Sequence, residues 1–291
     1  MSLSITKAQI ELVMERLSNG EEVDVSEDII TQAVEEFEAV LRKQLGRDSK
    51  EPFRIRMSNM GRHSCQLQME KSGAPASRRP YNHILRMMIG DAVEVYVTAL
   101  LRIAGANITG GKDKVSFDIG GVNVQGESDI DIDEAVWDIK SSSPWAFKNK
   151  WKQGFRSLVE DDAFGYIGQL YGYSKGQDKE MGGWIVADKS SGEIVFVEAT
   201  PEPHQIKETH QSISSTIHKV TNDLPFERCF EDEVEYFNRK PTGSRRLNMT
   251  CTFCDYKHTC WDGLQYKPAT KSKAQNPRHY WYTEYNDEVN R

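Results

Sequence analysis

The sequence predicts an α/β (α+β) fold with a central mixed β-sheet flanked by helices on both faces. Three observations predict it. Apolar residues recur at helical spacing over 28–45 and 81–104, the period shifts to two over 115–141 and 183–198, and helical spacing returns over 145–175 and 202–222. Both periods interleaved along one chain call for a sheet covered by helices. The 291 residues allow one large domain or two smaller ones, and 38% hydrophobic with 28% charged residues is a globular composition rather than a disordered one.

Along the chain, residues 1–45 read as helices, with Ser4 placed to cap the first. The segment 46–80 is polar, basic and irregular, carrying Arg54, Arg56, Arg62, Arg78 and Arg79. A long helix over 81–104 stops at Gly105. Alternation over 115–124, 127–132 and 135–141, with turn signals at Gly120-Gly121 and Asp133-Glu134, predicts a three-strand meander. The helical stretch 145–175 is weakened by Gly154, Gly165 and Gly168. Strands over 183–187 and 193–198 follow, joined by a Lys-Ser-Ser-Gly turn, then helices over 202–222 and 231–238. No internal repeat or low-complexity tract is present. The expected division is a helical region over 1–60, a core over 61–228, and a C-terminal segment over 229–291.

The chain has no apolar run near the roughly 20 residues that span a bilayer, and its first residues form a charged amphipathic pattern, not a secretory leader. A cytoplasmic protein without membrane contact is the expectation. A net charge of −7 argues against coating nucleic acid with the whole surface, while leaving room for local basic patches.

The stretch from Gly126 to Ser143 concentrates the chemistry. Asp129, Asp131 and Asp133 alternate with Ile130 and Ile132, and in the next strand Asp138 and Lys140 share a face. Paired as a hairpin, the two strands bring carboxylates together beside an ammonium. Carboxylates so gathered repel one another, and a divalent ion between them relieves the repulsion. Mg²⁺ takes a few carboxylate oxygens and keeps waters, one of which can become a nucleophile.

Five cysteines stand at 65, 229, 251, 254 and 260, the last three as C-x2-C-x5-C. This spacing lets one turn grip a metal or cluster edge, and Cys65, Cys229 or His258 can supply the fourth soft ligand. A zinc ribbon would carry a second C-x2-C pair, which is lacking.

In order, the chain carries Gly90-Asp91-Ala92-Val93-Glu94, Gly126-Glu127-Ser128-Asp129, Asp138-Ile139-Lys140 and Gln169-Leu170-Tyr171-Gly172-Tyr173. This series resembles the PD-(D/E)XK nuclease superfamily, in particular its RecB-like branch, over about residues 61–261. The resemblance implies a restriction-endonuclease-like core in which Glu94, Asp129, Asp138 and the Ile139 carbonyl hold Mg²⁺ or Mn²⁺ and Lys140 is the catalytic ammonium. It also implies that Gln169 and Tyr173, four apart on one helical face, orient the DNA backbone or Lys140. Asp91 can share the role of Glu94, and Asp131 that of Asp129 in another strand register. Glu94 stands where the family often has His, which leaves one or two metals open.

One upstream cysteine with a C-terminal C-x2-C-x5-C further resembles the iron–sulfur CRISPR-adaptation exonucleases and the nuclease domain of AddB-type helicase–nucleases. That resemblance selects Cys65, Cys251, Cys254 and Cys260 for a [4Fe–4S] cluster in a C-terminal lobe, with Zn²⁺ as the alternative. Such a centre closes a very long loop and stabilises by restricting the unfolded chain. Cys229 then reads as a small buried apolar residue.

After the Asp138-Ile139-Lys140 strand, Trp145, Phe147, Trp151 and Phe155 interleave with Lys148, Lys150, Lys152 and Arg156. Lys148, Lys150, Trp151, Lys152 and Arg156 are candidates to contact single-stranded DNA, although the aromatics suit a helix core equally well. The expected activity is a Mg²⁺- or Mn²⁺-dependent deoxyribonuclease, an exonuclease on single strands or free ends. The alternatives are a structure-specific or restriction-like endonuclease and a catalytically idle DNA-binding assembly factor.

Overall fold

The computed structural model describes residues 3–46 and 52–287. Residues 1–2, 47–51 and 288–291, from the predicted first helix, the irregular segment and the tail, lie outside the described residues. The chain folds as two compact units: residues up to 61 with 80–162 and 166–214, and residues 62–79 with 163–165 and the chain from 215 on.

In the first unit, α1 is Leu3–Ser18 and α2 is Glu27–Leu45. Ser4 lies inside α1 rather than capping it. Ser26 caps α2, its hydroxyl accepting the Ile29 N–H, and Glu27 with Asp28 in the first turn and Arg42 with Lys43 in the last complement the helix dipole. The segment expected to be irregular contains α3, Met57–Met60, and α4, Ser64–Lys71, the latter in the second unit. Then come α5, His83–Ile103, and Gly105 at φ 72°, which only glycine adopts freely.

The strands that follow are β1 (Ile108–Gly110), β2 (Lys114–Ile119), β3 (Val122–Glu127), β4 (Ile130–Ile132) and β5 (Ala135–Ser142). The Gly120-Gly121 and Asp133-Glu134 links have positive φ at both positions, the two-residue hairpin geometry whose twist matches the strands. The predicted meander is divided: β2 and β3 form their own two-stranded sheet, while β4 and β5 join the main one. The long helical stretch is broken into α6 (Pro144–Asn149), a 3-10 turn, α7 (Phe155–Glu160) and α8 (Tyr166–Gln177), with Gly154 and Gly165 at positive φ in the breaks. Next are β6 (Glu180–Asp188), β7 (Ile194–Glu198) and α9 (Pro203–Thr221).

The main sheet runs β1-β4-β5-β6-β7; β5 and β6 are parallel and the other neighbours antiparallel. Parallel neighbours need a crossover, and α6 to α8 provide it. On one face Trp137 and Ile139 of β5 pack with Ile185 of β6, Val97 and Leu101 of α5 and Ile10 of α1. Each such fully buried side chain contributes roughly 1.5–3 kcal/mol. The helices of the crossover cover the other face, where Trp151 and Phe155 pack against Trp184. The N-terminal helices belong to this unit rather than to a region of their own, as the Arg102–Glu36 ion pair at 2.8 Å between α5 and α2 illustrates.

The second unit contains β8 (Glu233–Phe237), β9 (Lys240–Arg246), α10 (Met249–Phe253), α11 (Lys257–Cys260), β10 (Gln265–Pro268) and β11 (His279–Glu284), with an antiparallel sheet ordered β10-β11-β9-β8. The helix expected over 231–238 is the strand β8. Asn238 and Arg239, at φ 50° and 63°, turn the chain straight into β9, so pairing overrides helical spacing. The aromatic tail supplies β11, which lies between β10 and β9. Buried Glu235 is fully used, accepting from Tyr282 at 2.6 Å, Thr242 at 3.0 Å and the Thr270 N–H at 3.1 Å. Helix α4 is held by Gln68 and Lys71, which donate to the carbonyls of Leu224 and Val220 at 2.8 Å each. Residues 62–79 and 215–228 therefore join this unit and not the predicted core. Among the described residues no helix is long and apolar enough to cross a membrane.

Candidate functional site

The candidate site is built on β5. Ile130 pairs with Trp137 and Asp131 with Val136, so the same register continued by one residue sets Asp129 opposite Asp138. Asp129 accepts the backbone N–H of Ile139 at 2.9 Å, which ties its carboxylate to the strand. Asp138 and Lys140 share the opposite face from Trp137 and Ile139. The Lys140 ammonium donates to Asp138 Oδ1 at 2.6 Å. Asp138 is 1% exposed, and its Oδ2 is buried without a hydrogen-bond partner.

Burial pushes the Asp138 carboxyl up to about 7; Lys140 opposes this and the Asp129 charge adds to it. Burial disfavours the Lys140 cation, but Asp138 and Asp129 outweigh it and hold the ammonium above the ordinary lysine range. Helix α8 lies on this face. Tyr173 is buried, and Gln169 Nε2 donates to its hydroxyl at 3.3 Å. Burial first, then Asp129 and Asp138, raises the Tyr173 phenol. The Tyr166 ring lies 5.8 Å from the Lys140 ammonium.

Asp129, Asp138, Lys140, Gln169 and Tyr173 are thus brought together. Glu94 is not joined to them: it comes from α5, which covers the other face, and it is ion-paired to Lys112. Asp91 turns to α2, where it accepts from Gln44. Asp131 is fully buried and paired with Lys179 at 2.8 Å, so the register gives the site to Asp129. Among the described residues no three His, Cys, Asp or Glu side chains are drawn together as a metal ion would draw them.

The expected DNA-contact helix is mostly structural. Trp151 is 4% exposed and packs at 5.3 Å on Tyr166 and 6.2 Å on Trp184, so it is core and not a base-stacking platform. Lys150 is bonded to Asp161, Lys152 is paired with Glu193 at 2.6 Å, and Arg156 with Glu160 at 3.1 Å. Lys148 is exposed, and Trp145 is the aromatic of this stretch that faces outward.

In the second unit Cys65, Cys251, Cys254 and Cys260 line one hollow with His63, Met69, Phe230 and Trp261. It encloses about 400 Å³ of empty space, part of it open to solvent. Cys65 comes from α4, Cys251 from α10 and Cys260 from α11, and the segment of Cys65 is tied down by the Ser77 N–H on the Asp255 carbonyl at 2.6 Å. Cys254 Sγ accepts the Tyr256 N–H at 3.4 Å, the tight turn its spacing predicts. Burial and the neighbouring thiols Cys254 and Cys260 push Cys251 up to about 11. Cys229 departs from the expectation of a buried apolar residue. It is exposed, and its Sγ accepts the Cys65 N–H at 3.3 Å and lies 3.5 Å from Ser64 Oγ, at the start of α4.

No protein-family model matches the chain, and no curated protein does. Among solved structures, one titled "Crystal structure of SSO0001" aligns over 79% of this chain and 96% of its own, at 14% identity and a TM-score of 0.42.

The sequence motifs do not include Lys112 or Tyr166. The Gly110-Gly111-Lys112-Asp113 link ahead of β2 is the signal that could have found the first. The second lies three residues before Gln169, one helical turn along the same face.

Proposed function

We propose that the chain is a Mg²⁺- or Mn²⁺-dependent deoxyribonuclease of the PD-(D/E)XK type, with a restriction-endonuclease-like core. The observation that carries this reading is the buried Asp138 carboxyl set against Asp129 of the neighbouring strand, its Oδ2 without a donor from any nitrogen or hydroxyl group and an ammonium 2.6 Å from its other oxygen. A carboxylate oxygen without a donor is expensive to bury unless a cation completes it. Asp129, Asp138 and the Ile139 carbonyl would hold the ion, and Glu94, which the motif series also assigns to it, would have to leave Lys112 to join them. A bound divalent ion supplies a water of lowered pKa and neutralises charge on the phosphate. Lys140 stays protonated and offers its ammonium to charge developing on the phosphate oxygens. Tyr173, held by Gln169, fixes the wall of the site on the side of α8. The motif series points further, to an exonuclease of single-stranded DNA or free ends.

The cysteine hollow fits a [4Fe–4S] cluster, held by Cys65, Cys251, Cys254 and Cys260. All four cysteines line that hollow, and the lack of the second C-x2-C pair of a zinc ribbon favours a cluster over a lone zinc ion. Its role is to staple distant parts of the chain.

The test is digestion of end-labelled linear and circular single-stranded DNA with Mn²⁺. Linear strands are expected to be degraded and circles spared; cut circles would make the enzyme an endonuclease. Lys140→Ala and Asp138→Ala are expected to lower kcat by about 100-fold or more while DNA binding persists. Cleavage at the wild-type rate in either variant removes the site assignment. Total inactivity of the wild type with intact DNA binding favours the idle assembly factor, for which the Glu94–Lys112 pair speaks.

A further inference from the structure

The carboxylate that the motif series assigns to the divalent ion is held by a cation of the chain itself. Lys112 lies between β1 and β2, and its ammonium is ion-paired to Glu94. Its backbone adopts φ 58°, a left-handed conformation that side chains other than glycine rarely take and that persists only where surrounding contacts impose it.

Those contacts are present. The Lys112 N–H donates to the Ser128 carbonyl at 3.0 Å, and the Ser128 N–H donates back to the Asp113 carbonyl at 3.1 Å. The Gly111 N–H donates to the Asp113 carboxylate at 3.1 Å. A side chain on Gly111 would begin 3.1 Å from the Asp129 carbonyl oxygen, so the loop lies directly against the backbone of Asp129. Lys114 pairs with Glu127, and the register continued by two residues sets Lys112 across from Asp129. The loop therefore delivers one ammonium to Glu94 from a base beside Asp129. Lys112 is 39% exposed and Glu94 19%, so the pair is half-buried and its ammonium has a way out to solvent.

An ammonium and a divalent ion at the same carboxylate repel each other at short range, so the two occupy it in turn. We propose that Lys112 is a built-in competitor for the divalent ion: it neutralises Glu94 while the ion is absent and must release it before Glu94 can become a ligand. Lys112 is a positioning residue in this scheme, acting through Glu94. The inference rests on the nuclease reading of the site.

Calorimetric titration of the full chain with Mn²⁺, without DNA, tests it. Lys112→Met and Lys112→Gly are expected to tighten Mn²⁺ binding about 3- to 10-fold, the effect of removing one half-buried ion pair. The glycine variant also relaxes the left-handed backbone, so agreement between the two excludes a folding artefact. Lys112→Arg should bind as the wild type does, and Lys114→Met, a nearby exposed lysine, should show that loss of positive charge alone is not the cause. Mn²⁺ uptake that depends on Asp138 yet is unchanged or weakened in both Lys112 variants overturns the inference and leaves the nuclease reading standing. Uptake that is absent, or indifferent to Asp138→Asn, brings down both.

Discussion

Asp138 and Lys140 sit side by side, yet their environments work on them differently. Burial lifts Asp138 to about 7, above the ordinary carboxylate range, while Lys140 remains charged. For a raised carboxyl, the stabilising contribution is complete below the unfolded value, near 4, and is lost as the pH climbs through the folded one. In the metal-free protein, Asp138→Asn is therefore expected to shift Tm more favourably at pH 8 than at pH 5, by several degrees. A Tm difference that stays flat across that range would refute the lifted carboxyl. Much at this scale was legible in the sequence. Strand alternation sets Asp129, Asp138 and Lys140 on one face, and the resemblance of the motif series adds Gln169 and Tyr173, four apart on one helical face. The fate of Glu94 was not, because its partner comes from a loop whose path depends on the β2–β3 hairpin. Trp151 was ambiguous for another reason: aromatics interleaved with lysines describe a half-buried helix as well as a nucleic-acid track.

Among the elements, α8 shows how a residue that weakens a helix can place it. Gly168, Gly172 and Gly176 repeat every four residues, and a side chain on each would collide with Gly61, Met60 and Val115 respectively. The glycine face lets α8 approach α3 and β2 closely, which seats Tyr173 in the site. Gly168→Ala should thus destabilise by about 1–3 kcal/mol, against the intrinsic helix preference for alanine, since the obstacle is the Gly61 backbone 2.6 Å away. Urea unfolding monitored by circular dichroism measures it; a stabilised variant would show that the close approach relaxes freely. In the sequence Gly168 signals only interruption, as Gly154 and Gly165 do, and those two are where the helix does break. Strand β8 was hidden similarly: its apolar spacing over 231–238 matches a helix, and only Asn238, a residue tolerant of positive φ, hinted at the hairpin.

For the whole molecule, the mixed sheet with helices on both faces was readable from the alternation of periods, but the division into units was not. The second unit is assembled from three separated stretches of chain, and no local pattern announces such an arrangement. Its cysteines give the corresponding prediction. Cys65→Ser should lose the brown colour of anaerobically purified protein and several degrees of Tm together, whereas Cys229→Ser should retain the colour. Colourless wild-type protein carrying one zinc would reject the cluster, and the reverse mutant pattern would exchange the roles of Cys65 and Cys229.

The same three-part construction has a temporal side. Helix α4 leaves the ribosome well before the strands of its unit, and the roughly 160 residues between Lys71 and Glu233 take on the order of 10 s to synthesise. Throughout that interval Leu67, fully buried in the finished fold, has no apolar surface of its own unit to cover it, and the Cys65 thiol waits without its companions. The nascent chain thus passes through a window in which this one short helix is open to oxidants and to chaperones, before the three C-terminal cysteines have been made.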